Sequence, residues 1–359
     1  MQPITAALLG IEHPHSLAHL RTLQALPEVE KILLWDESEP ALAAAVAKQG
    51  AKVAATYTNL DQLLAQKDLF FVIAALRNDL GPDLFIRTLE AGKHLMAEKP
   101  IGRTAADTER VIAAAQRTGA QLGVCYQNRT LPAVQLMRKL VGDGLLGPLI
   151  SVEMRMITTR VAARNPKNWL FKNAQSGGGI LSWLGCHYLD MMRYVTGDEI
   201  VAVSAEVATR SGEAIDVEDV ATLALRFRSG AVGSFHAGYM MALSGGGYHN
   251  KAGYDTYGGF NGQLGRITWS SPSSPIKLAV ESIHPAWASA PQRTFDLPLA
   301  ESPAYGGVSG EQFIRDFIRA AQGEGQAWTS GSDALQVARI IDAAYEASRN
   351  GQRVTIATP

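Results

Sequence analysis

The sequence predicts an α/β protein of two domains: an N-terminal parallel sheet covered by helices on both faces, then an α/β domain built on an antiparallel sheet. Three observations predict this. The first third of the 359 residues alternates apolar runs with amphipathic helical patterns, the remainder carries period-two strands separated by turns, and 47% hydrophobic residues is more than one small core holds.

Taken in order, AALLG ends at Gly10, helical LAHLRTLQAL follows, then KILLWD, helical EPALAAAVAKQG, LFFVIAAL, helical GPDLFIRTLEAGK and HLMAEKP. This is βαβαβ order, with strands apolar throughout because helices would cover both faces. Helical ADTERVIAAAQRTG leads into QLGVCYQ, which closes the first domain at Cys125 and sets the expected division at 1–125 and 126–359. Beyond it, LPAVQLMRKLVGDG predicts a helix. LISVEMRMIT, IVAVSAEVAT, VATLALRFRSGAVGSFHAGYM and GQLGRITWSS alternate with period two, with turns such as Ser229-Gly230 between them. The Gly/Ser/Tyr-rich run from Ser244 to Gly262 reads as turns and hairpin ends, and helical GEQFIRDFIRAAQG and DALQVARIIDAAYEASRNG complete the domain. One face of such a sheet is covered; the other is solvated or paired with another subunit, so a homo-oligomer is expected.

Composition narrows the function. Thirty-three Lys+Arg against thirty-four Asp+Glu leave a net charge of -1, with no general pull toward nucleic acid or an anionic membrane. No run approaches eighteen apolar residues and the N-terminus does not read as a signal peptide, so no membrane partner is expected. Cys125 and Cys186 are too few for a disulfide framework and lack zinc-ligand spacing. A cytoplasmic protein with a small-molecule partner is expected. His13, His15 and His19 lie close together, but the sequence shows no accompanying carboxylate cluster, so no metal is expected.

The stretch ALLGIEHPHSLAHL stands where a dinucleotide-binding chain places G-x-G-x-x-G, yet Glu12 and His15 occupy the second and third glycine positions. Asp36 ends the second strand. It reads either as the acceptor of the adenosine ribose hydroxyls, favouring NAD(H) over NADP(H), or as a turn or helix cap. In AEKPIGRT, Lys99 sits at the carboxyl end of a buried strand, where open α/β sheets bind ligands; the alternative is an exposed lysine paired with Glu98. In SGGGILSWLGCHYLDMMRYVTG, three glycines and Gly185 suggest backbone passing close to a bound ring. Trp183, His187 and Asp190 share one helical stripe, and His187 is chemically suited to take a hydroxyl proton, though a helical histidine is often simply a core residue.

These motifs together resemble the Gfo/Idh/MocA family of NAD(P)-dependent oxidoreductases over nearly the full chain. LEAGKHLMAEKPIGRT is similar to the family signature around its catalytic lysine, here Lys99, and SGGGILSWLGCHYLD to a second signature whose histidine falls on His187. YQNRTLPAVQLMRKLVGDGLLGPL and GSDALQVARIIDAAYEASRNGQRV resemble the domain junction and terminal helix. The resemblance implies a Rossmann domain that binds NAD and a C-terminal α/β domain with a large, mostly antiparallel open sheet. It also implies a carbohydrate substrate: a secondary hydroxyl or ketone of a sugar, glycoside or cyclitol. Lys99 would orient the reacting oxygen and His187 act as acid/base. Glu98, Tyr126, Asn128 and Arg129 would lie toward the nicotinamide, and Trp169 would wall the pocket.

The chain departs from the family in three places. Trp183 replaces an aspartate four residues before His187, so His187 would work largely alone with Lys99, or Tyr188 or Asp190 would have to assist the proton transfer; Trp183 would stack on a sugar or aglycone, or be core. The loop after the third apolar strand reads AALRND, putting Leu76, Arg77 and Asn78 at the cofactor; Arg77 reaches a phosphate or anion, or is solvated. TTRVAARNPKNWLFKN carries Arg160, Arg164, Lys167 and Lys172 without an acid, which selects an anionic sugar or is a solvated loop. At the first turn, His13 and His15 are expected to donate to the phosphates and Ser16 to cap the helix, with His15 pushing that helix outward or turning its ring to the phosphates and Glu12 pointing away. A sugar dehydrogenase is the leading reading. A glycoside hydrolase using transient ring oxidation by NAD and a non-catalytic NAD-binding regulator are the alternatives.

Overall fold

In the computed structural model, which describes residues 3–243, 253–270 and 275–358, the apolar runs of the first third become strands. β1 (Ile4–Leu9), β2 (Val29–Trp35), β3 (Val53–Tyr57), β4 (Leu69–Ala74), β5 (His94–Ala97) and β6 (Leu122–Val124) alternate with helices. These are α1 (Ser16–Ala25), α2 (Glu39–Gln49), α3 (Leu60–Leu64), α4 (Gly81–Glu90) and α5 (Ala105–Thr118). All pairings are parallel, in the order β3-β2-β1-β4-β5-β6. The strand order reverses at β1, so its carboxyl end is the switch point where such sheets bind ligands. Local chemistry marks the helix boundaries. Ser38 accepts from the Ala41 N–H at the start of α2, Thr104 accepts from the Asp107 N–H at the start of α5, and Gly119 closes α5 at φ 70°. β3 escapes the sequence reading because VAATY is a half-exposed edge strand with no continuous apolar run.

The second sheet has nine strands. After α6 (Pro132–Gly142) come β7 (Leu149–Thr159), α7 (Asn173–Ser176), α8 (Cys186–Thr196), β8 (Ile200–Ala208), β9 (Val220–Phe227) and β10 (Val232–Met241). β11 (Tyr254–Gly262), β12 (Gly265–Ser270), β13 (Ile276–Ser282) and β14 (Gln292–Leu297) follow, then α9 (Gly307–Ala321), α10 (Gly331–Asn350) and β15 (Val354–Thr355). The order is β14-β13-β12-β11-β7-β10-β9-β8-β15; β7 and β10 pair in parallel and all other neighbours antiparallel. Along β9, Ala221, Leu223, Leu225 and Phe227 are buried, while Thr222 and Ala224 are exposed, as a sheet with one covered face requires.

β11 corrects a sequence expectation. The run from Ser244 to Gly262 reads as turns, but Tyr254–Gly262 is an interior strand between β12 and β7; residues 244–252 lie outside the described residues. Its glycines have a packing reason. A Cβ on Gly258 would meet Met154 Cε at 3.2 Å, and one on Gly259 would meet Glu153 Oε1 at 2.8 Å.

The compact units are Met1–Thr130 with Ala300–Leu335, and Leu131–Leu299 with Gln336–Pro359. The expected division left residues 300–335 in the second domain. Instead α9 returns to the first core, where Phe313, Ile314, Phe317 and Ile318 cluster with Leu8, Leu20, Ile73 and Met96. An amphipathic helix carries no sequence mark of which sheet it will cover. Among the described residues, no helix is long and apolar enough to cross a membrane.

Arg129 secures this return. Its Nη1 donates to the Trp328 carbonyl and its Nη2 to Asp333 Oδ1, both at 2.8 Å. Burial pushes the Asp333 carboxyl up, but Arg129 outweighs it and holds the group below its ordinary range. A depressed carboxyl pKa stabilises the fold above the unfolded value, near 4, and that contribution is lost as pH falls through the folded value. Asp333→Asn should therefore lower Tm at pH 7, and the difference from wild type should shrink below about pH 4. Thermal melts across that range check it; a difference constant with pH would show that the ion pair is not the cause.

Candidate active site

The first unit carries a candidate cofactor site around the β1–α1 turn. Gly10 has φ 84°, and a Cβ there would lie 2.2 Å from the Ala75 carbonyl oxygen, so both the backbone conformation and the close passage of the loop after β4 require glycine. The turn is tied to β2. Ile11 N donates to Asp36 Oδ2 at 2.6 Å, while Oδ1 accepts from Ser38 N at 2.8 Å. The buried Asp36 carboxylate thus holds the turn, and each oxygen keeps further acceptor capacity. α1 begins at Ser16 with no acid in its first turn, an end favourable to a diphosphate. Glu12 is exposed. A glycine turn, an unblocked helix N-terminus and an acid at the end of β2 fit NAD.

The histidines do something other than expected. His15 does not turn its ring toward the phosphates: its Nδ1 lies 3.0 Å from Glu98 Oε1, and His19 Nε2 lies 2.6 Å from the same oxygen. The His15 ring packs at 4.9 Å from Tyr305, whose hydroxyl is 3.3 Å from Nε2. Burying the Glu98 carboxylate demands donors, and α1 supplies them. Burial pushes the Glu98 carboxyl up, but the two rings overcome it and hold the group well below the usual carboxylate range. Burial lowers His13 strongly and His15 as well. His13 Nδ1 accepts from His15 N at 3.2 Å. Ser16 does not cap α1, since its hydroxyl donates back to the Gly10 carbonyl at 2.6 Å.

Lys99 follows Glu98 at the carboxyl end of β5 and is 1% exposed, so it is no solvated surface lysine. Its N–H donates to Glu98 Oε2 at 3.1 Å. In the loop after β4, Leu76 is half-buried and Asn78 buried, while Arg77 grips Asp79 through two hydrogen bonds of 3.1 and 2.7 Å. Tyr126 is buried and Asn128 half-buried. Arg129, expected at the nicotinamide side, is instead the staple to Asp333 described above.

In the second unit, the glycines before His187 have a packing role rather than the expected freedom to pass a bound ring. A Cβ on Gly179 would stand 1.9 Å from the Glu218 carbonyl oxygen, and one on Gly178 would stand 2.0 Å from Tyr345 Oη. Close approach lets Glu218 act as a cap. Its carboxylate accepts from Gly179 N at 2.7 Å, Leu181 N at 2.9 Å and Tyr345 Oη at 2.9 Å. Burial still pushes its pKa up. Glu218 and Tyr345 are absent from the sequence reading because nothing local links residues 179, 218 and 345.

A π-helical turn, Leu181–Gly185, precedes α8 and widens the register between Trp183 and His187. Gly185 sits close to β10, where a Cβ would meet Phe235 Cε1 at 3.2 Å. His187 is 9% exposed; Trp183 is buried and meets the half-buried Trp169 edge-on at 5.9 Å. Asp190 is buried and lies 3.9 Å from Arg193, which also binds Glu199. Tyr188 is stacked against Phe235 and Trp269 of the sheet.

The basic segment divides. Arg164 is half-buried, donates to Thr158 Oγ1 at 2.6 Å and lies over the Tyr239 ring at 5.4 Å, whereas Arg160, Lys167 and Lys172 are exposed.

Comparison with known proteins agrees with these features. Residues 6–126 match the oxidoreductase family with an NAD-binding Rossmann fold, and residues 134–250 match the GFO/IDH/MocA C-terminal domain. Levoglucosan dehydrogenase of Pseudarthrobacter phenanthrenivorans is 28% identical, with 97% of each chain covered. Inositol 2-dehydrogenase of Rhizobium meliloti is 26% identical over 94% of this chain and 95% of that one. Among solved structures, an oxidoreductase domain protein from Kribbella flavida superposes with a TM-score of 0.88 at 25% identity, covering 100% of both chains. The glycine turn, the Glu98-Lys99 strand end and the His187 helix therefore belong to a member of the Gfo/Idh/MocA oxidoreductase family, with an NAD-binding Rossmann domain.

Proposed function

We propose that the protein is an NAD-dependent dehydrogenase that oxidises a secondary hydroxyl of a neutral sugar, glycoside or cyclitol, or reduces the matching ketone. The observation that carries this reading is Lys99, a buried lysine at a strand end of an NAD-binding unit. NAD, when bound, supplies the hydride acceptor. The Gly10 turn and the N-terminus of α1 hold its diphosphate, and Asp36 accepts from the adenosine ribose. Lys99 donates a hydrogen bond to the reacting oxygen, stabilising the negative charge that develops there, and His187 takes the hydroxyl proton. Trp169 and Trp183 offer an aromatic wall to a sugar ring.

A neutral substrate is favoured because the best-positioned cation of the basic run, Arg164, is occupied by Thr158 and Tyr239. The names of the relatives point the same way, since levoglucosan and inositol are uncharged. Substrate-dependent absorbance of NADH tests the activity. The expected result is kcat/KM at least about tenfold higher for a neutral cyclic polyol than for its uronate, a difference of about 1.4 kcal/mol. The opposite preference would assign the basic segment to an anion. Aglycone release without accumulation of NADH would replace the dehydrogenase with the hydrolase reading. We also place the protein in the cytoplasm, in keeping with two buried cysteines that form no disulfide, and assign the open face of the second sheet to a homo-oligomer. Light scattering of the purified chain tests the latter.

A further inference from the structure

The first unit gathers three unlike metal-ligating groups that the dehydrogenase reaction does not explain. His19 on the second turn of α1, Glu98 at the end of β5 and Cys125 just past β6 each offer one ligand atom, and these atoms all lie within 4.8 Å of one another. All three residues are buried, at 2%, 1% and 2% exposure. Such groups are seldom placed together in a core without a partner that uses them. Nothing local marks the cluster, because the carboxylate beside the histidines arrives from 79 residues away in the chain.

We propose that His19, Glu98 and Cys125 form a binding site for a divalent transition-metal ion of the zinc type, with His15 hydrogen-bonded to the liganding carboxylate. The donor set selects the metal. A thiolate and an imidazole suit zinc or cobalt and disfavour magnesium and calcium, which take oxygen ligands. Charge balances as well: one carboxylate and one thiolate offset the two positive charges of the ion, so a neutral assembly is buried. On binding, the Cys125 thiol releases its proton to solvent, the His19 proton moves from Nε2 to Nδ1 so that Nε2 can ligate, and the Glu98 oxygen exchanges its His19 contact for the ion, while no group is oxidised or reduced. The opposite nitrogen of His19, Nδ1, has no hydrogen-bond partner, so the polar chemistry of the ring is committed to this cluster. His15 Nδ1, 3.0 Å from Glu98 Oε1, is placed to orient the liganding carboxylate. The ion would tie α1, whose N-terminus serves the diphosphate, to β5, which carries Lys99.

The test uses the full-length protein under reducing conditions, stripped with a chelator and titrated with Zn²⁺ or Co²⁺. About one equivalent of metal is expected by elemental analysis, and the cobalt form should show a sulfur-to-metal charge-transfer band in the near ultraviolet. Cys125→Ser should abolish that band, and His19→Gln should weaken binding about 100-fold or more. The wild-type spectrum alone decides the matter should either variant fail to fold. Absence of bound metal, or cobalt bound without a thiolate band, overturns the proposal.

Discussion

Lys99→Met is expected to lower kcat about a thousandfold, with a much smaller effect on NAD binding. The side chain is buried at the end of β5 and its backbone N–H is fixed by Glu98 Oε2, so the ammonium is presented from a rigid strand end. In the proposed mechanism its strongest interaction forms with the charged oxygen of the transition state. Methionine keeps most of the volume and removes the donor, so the loss should fall on kcat rather than on stability. Lys99→Arg should not rescue the enzyme, because a planar fork cannot take the place of a compact ammonium in a closed site. Steady-state NADH formation and cofactor titration separate the two effects. Turnover within tenfold of wild type would remove Lys99 from the chemistry.

Gly179→Ala is expected to destabilise the second unit by about 3 kcal/mol, at the upper end for added volume in a packed core. The new methyl would stand 1.9 Å from the Glu218 carbonyl oxygen, which is backbone and cannot swing aside. Relief requires the strand or the signature segment to move, and either motion stretches the hydrogen bonds from Gly179 N and Leu181 N to the Glu218 carboxylate. Since His187 follows directly on this capped turn, kcat should fall together with the denaturation midpoint. Gly142→Ala is the control: a Cβ there meets nothing within 4 Å, and stability should be unchanged or slightly raised. Equal midpoints for the two variants would refute the packing role given to Gly179.

How much was legible follows from where the information sits. Apolar runs such as LFFVIAAL and period-two runs such as VATLALRF announce buried and half-buried strands within a few residues, and the fold class is readable from them. β3 and β11 are not, one being a half-exposed edge and the other rich in glycine and polar residues that pack only against a particular neighbour. Lys99 and His187 stand out because their surrounding residues form extended motifs. His15 does not, since its orientation depends on a buried carboxylate from β5, and neither does Arg129, whose partners lie about 200 residues away. The glycines at 178 and 179 were visible as glycines, but whether a ligand or Tyr345 fills the space they leave is a question of tertiary contact.

The bond from Ile11 N to Asp36 has a consequence for how cofactor preference can change. An engineer, or natural selection, seeking to accept a 2′-phosphate would first remove the Asp36 carboxylate. Here the same step leaves the Ile11 N–H without its acceptor and loosens the β1–α1 turn proposed to hold the diphosphate. With Asp36 in its proposed ribose-binding role, selectivity and loop architecture are thus inherited as one trait. A lineage leaving NAD must acquire a replacement acceptor for Ile11 before, or along with, the loss of the acid.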